Sequence, residues 1–285
     1  MQQPHKKRRT GTEIWGTQRH ELCDDLYAPW GVEFGPRRMS NRKLWVCCNK
    51  KDALHVYDMD NNMELPSVIS DSKTKNWCHG PRAICFQPGS NNMILTSNTG
   101  VHVLAPDSGQ TRLEHLYSIN HDIFPMGVTC SPGGCFFVCD PVKDSVLLFD
   151  EKGHKVTAYS GTKTPFGICF ADQGTLCVTT YFNSSVSKFG LSDSQTLTKL
   201  STIDTSPMTA QGVCYSQKTR EMVVAFGYGT THSVCIYDKS LSSSSPLRQV
   251  QADFGECDPT GVCCDPETGM LVVSEFKKNR VRIFC

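Results

Sequence analysis

Six aromatic and four cationic side chains carry the recognisable chemistry of this sequence: Trp30, Arg82, Phe166, Tyr181, Phe182, Tyr228, Phe276, Lys277, Lys278 and Arg280. Rings stack on unpaired nucleobases while Lys and Arg hold phosphates. Aromatic and Arg side chains also anchor protein partners at hot spots. Asp122, Asp140, Asp144, Asp258 and Glu275 lie among them and would repel phosphate, so charge favours a protein partner over single-stranded RNA. Lys277, Lys278 and Arg280 read equally well as a solvated turn, and Trp30 and Phe166 as packed side chains.

Signs of covalent or metal chemistry are sparse. The nine His residues are scattered without ligand spacing, and no Cys-x-x-Cys pair occurs. There is no Gly-x-Ser-x-Gly nucleophile elbow and no phosphate-cradling glycine loop. The expectation is therefore a non-enzyme, with no catalytic residue, metal or cofactor.

The elements that would position the ten residues come from a motif that recurs six times. Its copies are Pro29-Trp30-Gly31-Val32, Pro81-Arg82-Ala83-Ile84, Pro125-Met126-Gly127-Val128, Pro165-Phe166-Gly167-Ile168, Ala210-Gln211-Gly212-Val213 and Pro259-Thr260-Gly261-Val262. Their third residues are 52, 44, 40, 45 and 49 positions apart, a period typical of radially repeated sheets. Short apolar runs such as Leu44–Cys47 and Leu54–Tyr57 follow each copy and read as strands. A fourth, more polar strand fits most units, as at Leu113–Tyr117. The last unit runs out after three strands, so Glu13–Leu22 is expected to complete it and close the ring. Segments before each motif and turns between second and third strands then meet at one end, bringing the ten residues together with Lys50, Lys51, Asn98, Lys143 and His232. Glu33 is the only acid expected on an inner strand.

The sixth unit is the clearest spelling of the repeat: Pro259-Thr260-Gly261-Val262, then Gly269 to Glu275, then Asn279-Arg280-Val281-Arg282-Ile283-Phe284. It resembles the NHL repeat, and the resemblance covers residues 29–285. The second unit departs with Ala83, and the fifth lacks the proline. The family implies a six-bladed β-propeller of the kind found at the C-terminus of tripartite-motif ubiquitin ligases. Such domains bind substrate proteins, scaffolds or single-stranded RNA. The resemblance thus implies a non-catalytic recognition propeller in a ubiquitin-ligase-like system, with RNA binding as one alternative. A metal-dependent propeller lyase or hydrolase is the other.

Net charge is +1, so nothing global draws the chain to nucleic acid or an anionic membrane. Residues 1–12 read as a disordered basic tail, and 13–285 as one propeller with a closing strand and lead-in at 13–28. No apolar run is long enough to span a bilayer. A monomer in the cytoplasm is expected, with Lys6-Lys7-Arg8-Arg9 as a candidate nuclear-import patch. The 16 cysteines sit within apolar strands and read as reduced, buried thiols.

Overall fold

The computed structural model describes residues 18–22, 26–36, 42–61, 63–65, 78–107, 112–119, 122–172, 174–193, 195–228 and 231–285. Six four-stranded antiparallel sheets are arranged as the blades of a propeller. Blade 1 runs Pro29–Phe34, Lys43–Cys48, Ala53–Asp58 and Met63–Leu65 from the axis outward, and blade 2 runs Ala83–Phe86, Met93–Ser97, Gly100–Pro106 and Leu113–Ile119. Blade 3 comprises Val128–Cys130, Phe136–Asp140, Ser145–Phe149 and Lys155–Tyr159. Blade 4 comprises Pro165–Asp172, Thr175–Thr180, Ser185–Leu191 and Leu197–Asp204. Blade 5 comprises Ala210–Ser216, Glu221–Phe226, Ser233–Asp238 and Arg248–Gln249. Blade 6 takes Pro259–Cys264, Leu271–Glu275 and Arg280–Phe284 from the end of the chain and Gln18–Leu22 from its beginning. In that closure Glu21 lies opposite Arg282 and Leu22 opposite Val281. Residues 1–17, which include the expected tail and the first part of the expected closing strand, lie outside the described residues.

Packing on both faces explains why the second strands are continuous apolar runs rather than alternating ones. Lys43–Cys48 and Phe136–Asp140 are buried at every position. Six apolar clusters form the core among the described residues, each spanning two neighbouring blades. Ile94, Val101 and Val103 of blade 2, for example, meet Phe136, Val138 and Leu147 of blade 3. An outer strand such as Lys155–Tyr159 is largely exposed.

The recurring motif has a structural meaning. In blades 1, 4, 5 and 6 the register of the first strand shifts between the first and fourth motif residues, which is a β-bulge. At the axis the second motif residue presents its carbonyl to the glycine of the preceding blade. A Cβ on Gly167 would fall on the carbonyl oxygen of Gln211, and one on Gly212 on that of Thr260. Gly261 meets the Trp30 carbonyl in the same way, which closes the circle from blade 6 to blade 1. Glycine is required here for space, not for an unusual φ. Hydroxyls from second strands bind the same carbonyls: Thr96 donates to Met126 O (2.5 Å), Thr179 to Gln211 O (2.5 Å) and Ser274 to Trp30 O (2.6 Å).

Gly212→Ala is expected to destabilise the fold by about 1–3 kcal/mol, the usual cost of overpacking against something that cannot yield, here backbone. Gly133→Ala, whose added Cβ would have only the Ser131 hydroxyl at 3.9 Å, should be near neutral. Denaturant melts of the two variants check this, and equal stability would contradict the axial contact.

Candidate functional site: the upper mouth of the axial channel

Turns at one end of the propeller, here called upper, are fixed by a latch between consecutive blades. Asp52 Oδ1 accepts the Gly80 N–H at 2.6 Å, Asp144 Oδ1 accepts that of Thr164 at 2.7 Å, and Asn279 Oδ1 accepts that of Ala28 at 2.8 Å. All three acceptors adopt positive φ, a region Asp and Asn tolerate better than most residues. Each acceptor stands in the turn after a second strand, and each donor just before the next motif. The latches bring these two sets of segments together, as the repeat predicts.

The rings form one continuous cluster. Trp30 of blade 1 stacks on Phe166 of blade 4 with centroids 6.0 Å apart. These blades face each other across the axis, so the two side chains meet over the channel and roof it. Phe276 sets its edge against Trp30 at 5.5 Å, and Tyr181 stacks on Phe166 at 5.3 Å. Tyr228 and Phe182 lie against Tyr181 at 5.5 and 5.1 Å. Trp30 and Phe166 are half-buried, whereas Phe182 and Tyr228 are 78% and 60% exposed. Adjacent Tyr181 and Phe182 divide as turn residues must, one packed and one in solvent.

Beside this cluster sits a His–carboxylate pair. His232 Nδ1 lies 3.0 Å from Asp258 Oδ1, and both side chains are buried. Asp258 also accepts the Tyr228 N–H at 2.9 Å and pairs with Lys277 Nζ at 3.0 Å. It therefore takes the latch position between blades 5 and 6 with donor and acceptor reversed. The contact is one of charge proximity rather than a directed hydrogen bond, because His232 Nδ1 has no hydrogen-bond partner of acceptable geometry among the described residues. Burial pushes the Tyr181 phenol up to about 12, with Tyr228 and the Asp258 charge adding to the effect. Tyr181 is thus a neutral hydrogen-bond donor at any ordinary pH.

The cations do not form a free basic strip. Arg82 is buried, with Nη1 donating to Pro125 O (2.8 Å), Nη2 donating to Asn98 Oδ1 (2.5 Å) and the guanidinium 3.8 Å from the Phe124 ring centre. Desolvation lowers it to about 10. Arg280 binds the buried Glu275 carboxylate through Nε and reaches Glu21 at 3.2 Å, so it fastens the closing strand. Lys277 is committed to Asp258. Lys278 is exposed and makes no polar contact among the described residues. Two rings absent from the sequence-derived set also belong to this rim: Phe124 over Arg82, and Tyr27, 4.1 Å beneath Lys51. Their place just before a motif was the available signal. His232 and Asp258 were each visible in the sequence, but nothing there paired them.

Beneath the roof a cavity of about 110 Å³ follows the axis, lined by the inner strands and including Glu33. Glu33 accepts the Phe34 N–H at 3.0 Å, and burial nevertheless raises its carboxyl to about 7. Among the described residues no group of three His, Cys, Asp or Glu side chains is placed to hold a metal ion.

Comparison with known proteins bears on the fold. No family model matches the chain. An uncharacterized protein, L690, of Acanthamoeba polyphaga mimivirus is 25% identical over 168 residues, which is 59% of this chain and 37% of that protein. The chain thus spans little more than a third of the length of the curated relative it matches. Among solved structures, a proposed gluconolactonase aligns with a TM-score of 0.71 at 14% identity, over 95% of this chain and 94% of that one. Streptogramin B lyase aligns with a TM-score of 0.63 at 13% identity, over 96% and 99%. The six-bladed fold is therefore shared with propellers named as enzymes. This corrects the expectation of a non-catalytic recognition arm in a ubiquitin-ligase-like system, which rested on the NHL resemblance, the near-neutral charge and the aromatic loops. The RNA-binding expectation goes with it, because the cations counted toward it are largely paired or buried.

Glu33 gives a pH prediction. Its folded-state value lies above the ordinary 4.5, so between about 4.5 and about 7 the folded chain keeps a proton that the unfolded chain has released. Raising pH through that window therefore removes stability. Glu33→Gln should raise the melting temperature at pH 8 and change it little at pH 4.5. Thermal melts at the two pH values check the sign.

Proposed function

We propose that this chain is a catalytic propeller that hydrolyses a small cyclic ester at its upper mouth, with His232 as general base. The observation that carries the reading is the His232–Asp258 pair at 3.0 Å beside the aromatic roof. The nearby carboxylate favours the imidazolium that forms when His232 takes a proton from water. That water adds to the ester carbonyl. The neutral Tyr181 phenol is the available donor for the oxygen on which charge builds. The ring C–O bond then breaks, and the proton on His232 passes to the departing alkoxide, leaving a hydroxy acid. Trp30, Phe166 and Tyr228 offer flat faces to a ring-shaped substrate. The names of the two structurally similar proteins, a proposed gluconolactonase and a lyase, support a bond-cleaving role on this fold. A metal-dependent form of this chemistry does not fit the described residues, which offer no three-ligand cluster. We further propose that the repeats are of NHL type in their spelling, with the bulged Pro-x-Gly-Val of blade 6 as the best copy. That label describes the repeat and implies no ligase partner.

A panel of small lactones, including gluconolactone, tests the reading with purified protein. Ring opening above the uncatalysed rate is expected, and His232→Asn should lower kcat by about 100-fold or more. Phe182→Ala, on the outer side of the cluster, should fold and serve as the comparison. Activity should survive exhaustive chelation. No turnover on any lactone, or an unaffected His232→Asn variant, would remove the proposal.

A further inference from the structure

The opposite end of the channel carries a second chemistry. Two positions after the third motif residue, the six blades present Glu33, Cys85, Thr129, Cys169, Cys214 and Cys263. Three positions after it they present Phe34, Phe86, Cys130, Phe170, Tyr215 and Cys264. The later position is aromatic in four blades and cysteine in blades 3 and 6 alone. In both cases the preceding blade has cysteine at the earlier position. The structure brings these into contact: Cys85 Sγ is 3.1 Å from Cys130 Sγ, and Cys214 Sγ is 3.5 Å from Cys264 Sγ. Blades 2 and 3 are related to blades 5 and 6 by half a turn about the axis, so the pairs are equivalent by pseudo-symmetry. Each pair has the same make-up. Cys85 and Cys214 are buried, whereas Cys130 and Cys264 are partly exposed. Cys85 and Cys130 line a cavity of about 410 Å³ at the lower mouth.

We infer that Cys85–Cys130 and Cys214–Cys264 are dithiol oxidation sites, which a hydroperoxide converts to two disulfides that staple blade 2 to blade 3 and blade 5 to blade 6. Burial pushes the Cys85 and Cys214 thiols up, so attack begins at the more exposed member of each pair. The Cys130 thiolate attacks one peroxide oxygen, the O–O bond breaks, and the alcohol, or water from hydrogen peroxide, leaves. Cys130 is now a sulfenic acid. The Cys85 sulfur displaces its hydroxyl, the S–S bond forms, and the thiol proton leaves with the hydroxyl as water. Two thiols and one hydroperoxide thus become one disulfide, one alcohol and one water. The sulfurs already touch between rigid inner strands, so the second step is favoured over further oxidation of the sulfenic acid. Cys169 and Cys263 share clusters with Tyr215 and Phe34 at the corresponding interfaces, where the later position is an aromatic ring.

The test treats the native full chain with a few equivalents of hydrogen peroxide, alkylates the remaining thiols and maps the peptides by mass spectrometry. Linked peptides Cys85–Cys130 and Cys214–Cys264 are expected, with a melting temperature raised by roughly 4–10 °C and restored by dithiothreitol. Cys130→Ser should lose the first link and keep the second, and Cys264→Ser the reverse, so each surviving link reports that the variant folded. Sulfinic acid at these cysteines without links, links between other cysteines in their place, or thiols left unoxidised would overturn the inference. Its failure would leave the upper-mouth hydrolase reading untouched, because neither pair lies at that end.

Discussion

At the axis of this propeller the blades touch backbone to backbone, and the rest of the architecture follows from that contact. In blades 1, 4, 5 and 6 a bulge accompanies a carbonyl turned toward the preceding blade, where glycine leaves room for it in every blade but the second, which has Ala83. A Ser or Thr hydroxyl from the second strand then satisfies the carbonyl, as Thr179 does for Gln211 and Ser274 does for Trp30. A buried carbonyl without a partner would cost about 1–3 kcal/mol, so the hydroxyl and the glycine belong to one device. The narrow axis that results sets the diameter of the channel. It also allows side chains from opposite blades, Trp30 and Phe166, to touch above it.

The sequence was informative wherever structure repeats and silent wherever it does not. Period, strand order, ring closure and the upper set of loops could all be read from the recurrence of Pro-x-Gly-Val and the apolar runs behind it. Exposure within that set could be read only in part. Adjacent Tyr181 and Phe182 had to divide between packing and solvent. Nothing local foretold that Arg82 would be buried under Phe124 or that Arg280 would turn to Glu275 and Glu21. Those are contacts across blades, decided by packing around the ring, and a cation in a turn has the same spelling whether it is paired or free. The His232–Asp258 pair was hidden for the same reason. Family resemblance pointed toward recognition because the repeat spelling records how blades join, and joining is common to propellers that bind and propellers that cleave.

The two ends of the channel differ in kind. Above the aromatic roof lie the neutral phenol of Tyr181, the imidazole of His232 and a carboxylate, the ordinary materials of proton transfer. Below it lie Glu33 and a set of inner-strand thiols, of which Cys85 and Cys214 are pushed up by burial. The inner strands that separate the two ends are short; they carry the lower set of side chains directly, while the upper set stands largely on turns and lead-in segments between strands.

Closure by Gln18–Leu22 has a consequence for how the protein is made. That strand is synthesised before its partner Arg280–Phe284, with the other five blades between them in the chain. Until then the growing chain carries an incomplete ring, with the lateral hydrogen-bonding groups of Gln18–Leu22 unmatched. Sheet pairing over so long a separation is slow, and unmatched edges invite association with other chains. Biogenesis, more than the stability of the finished ring, is where this architecture is vulnerable.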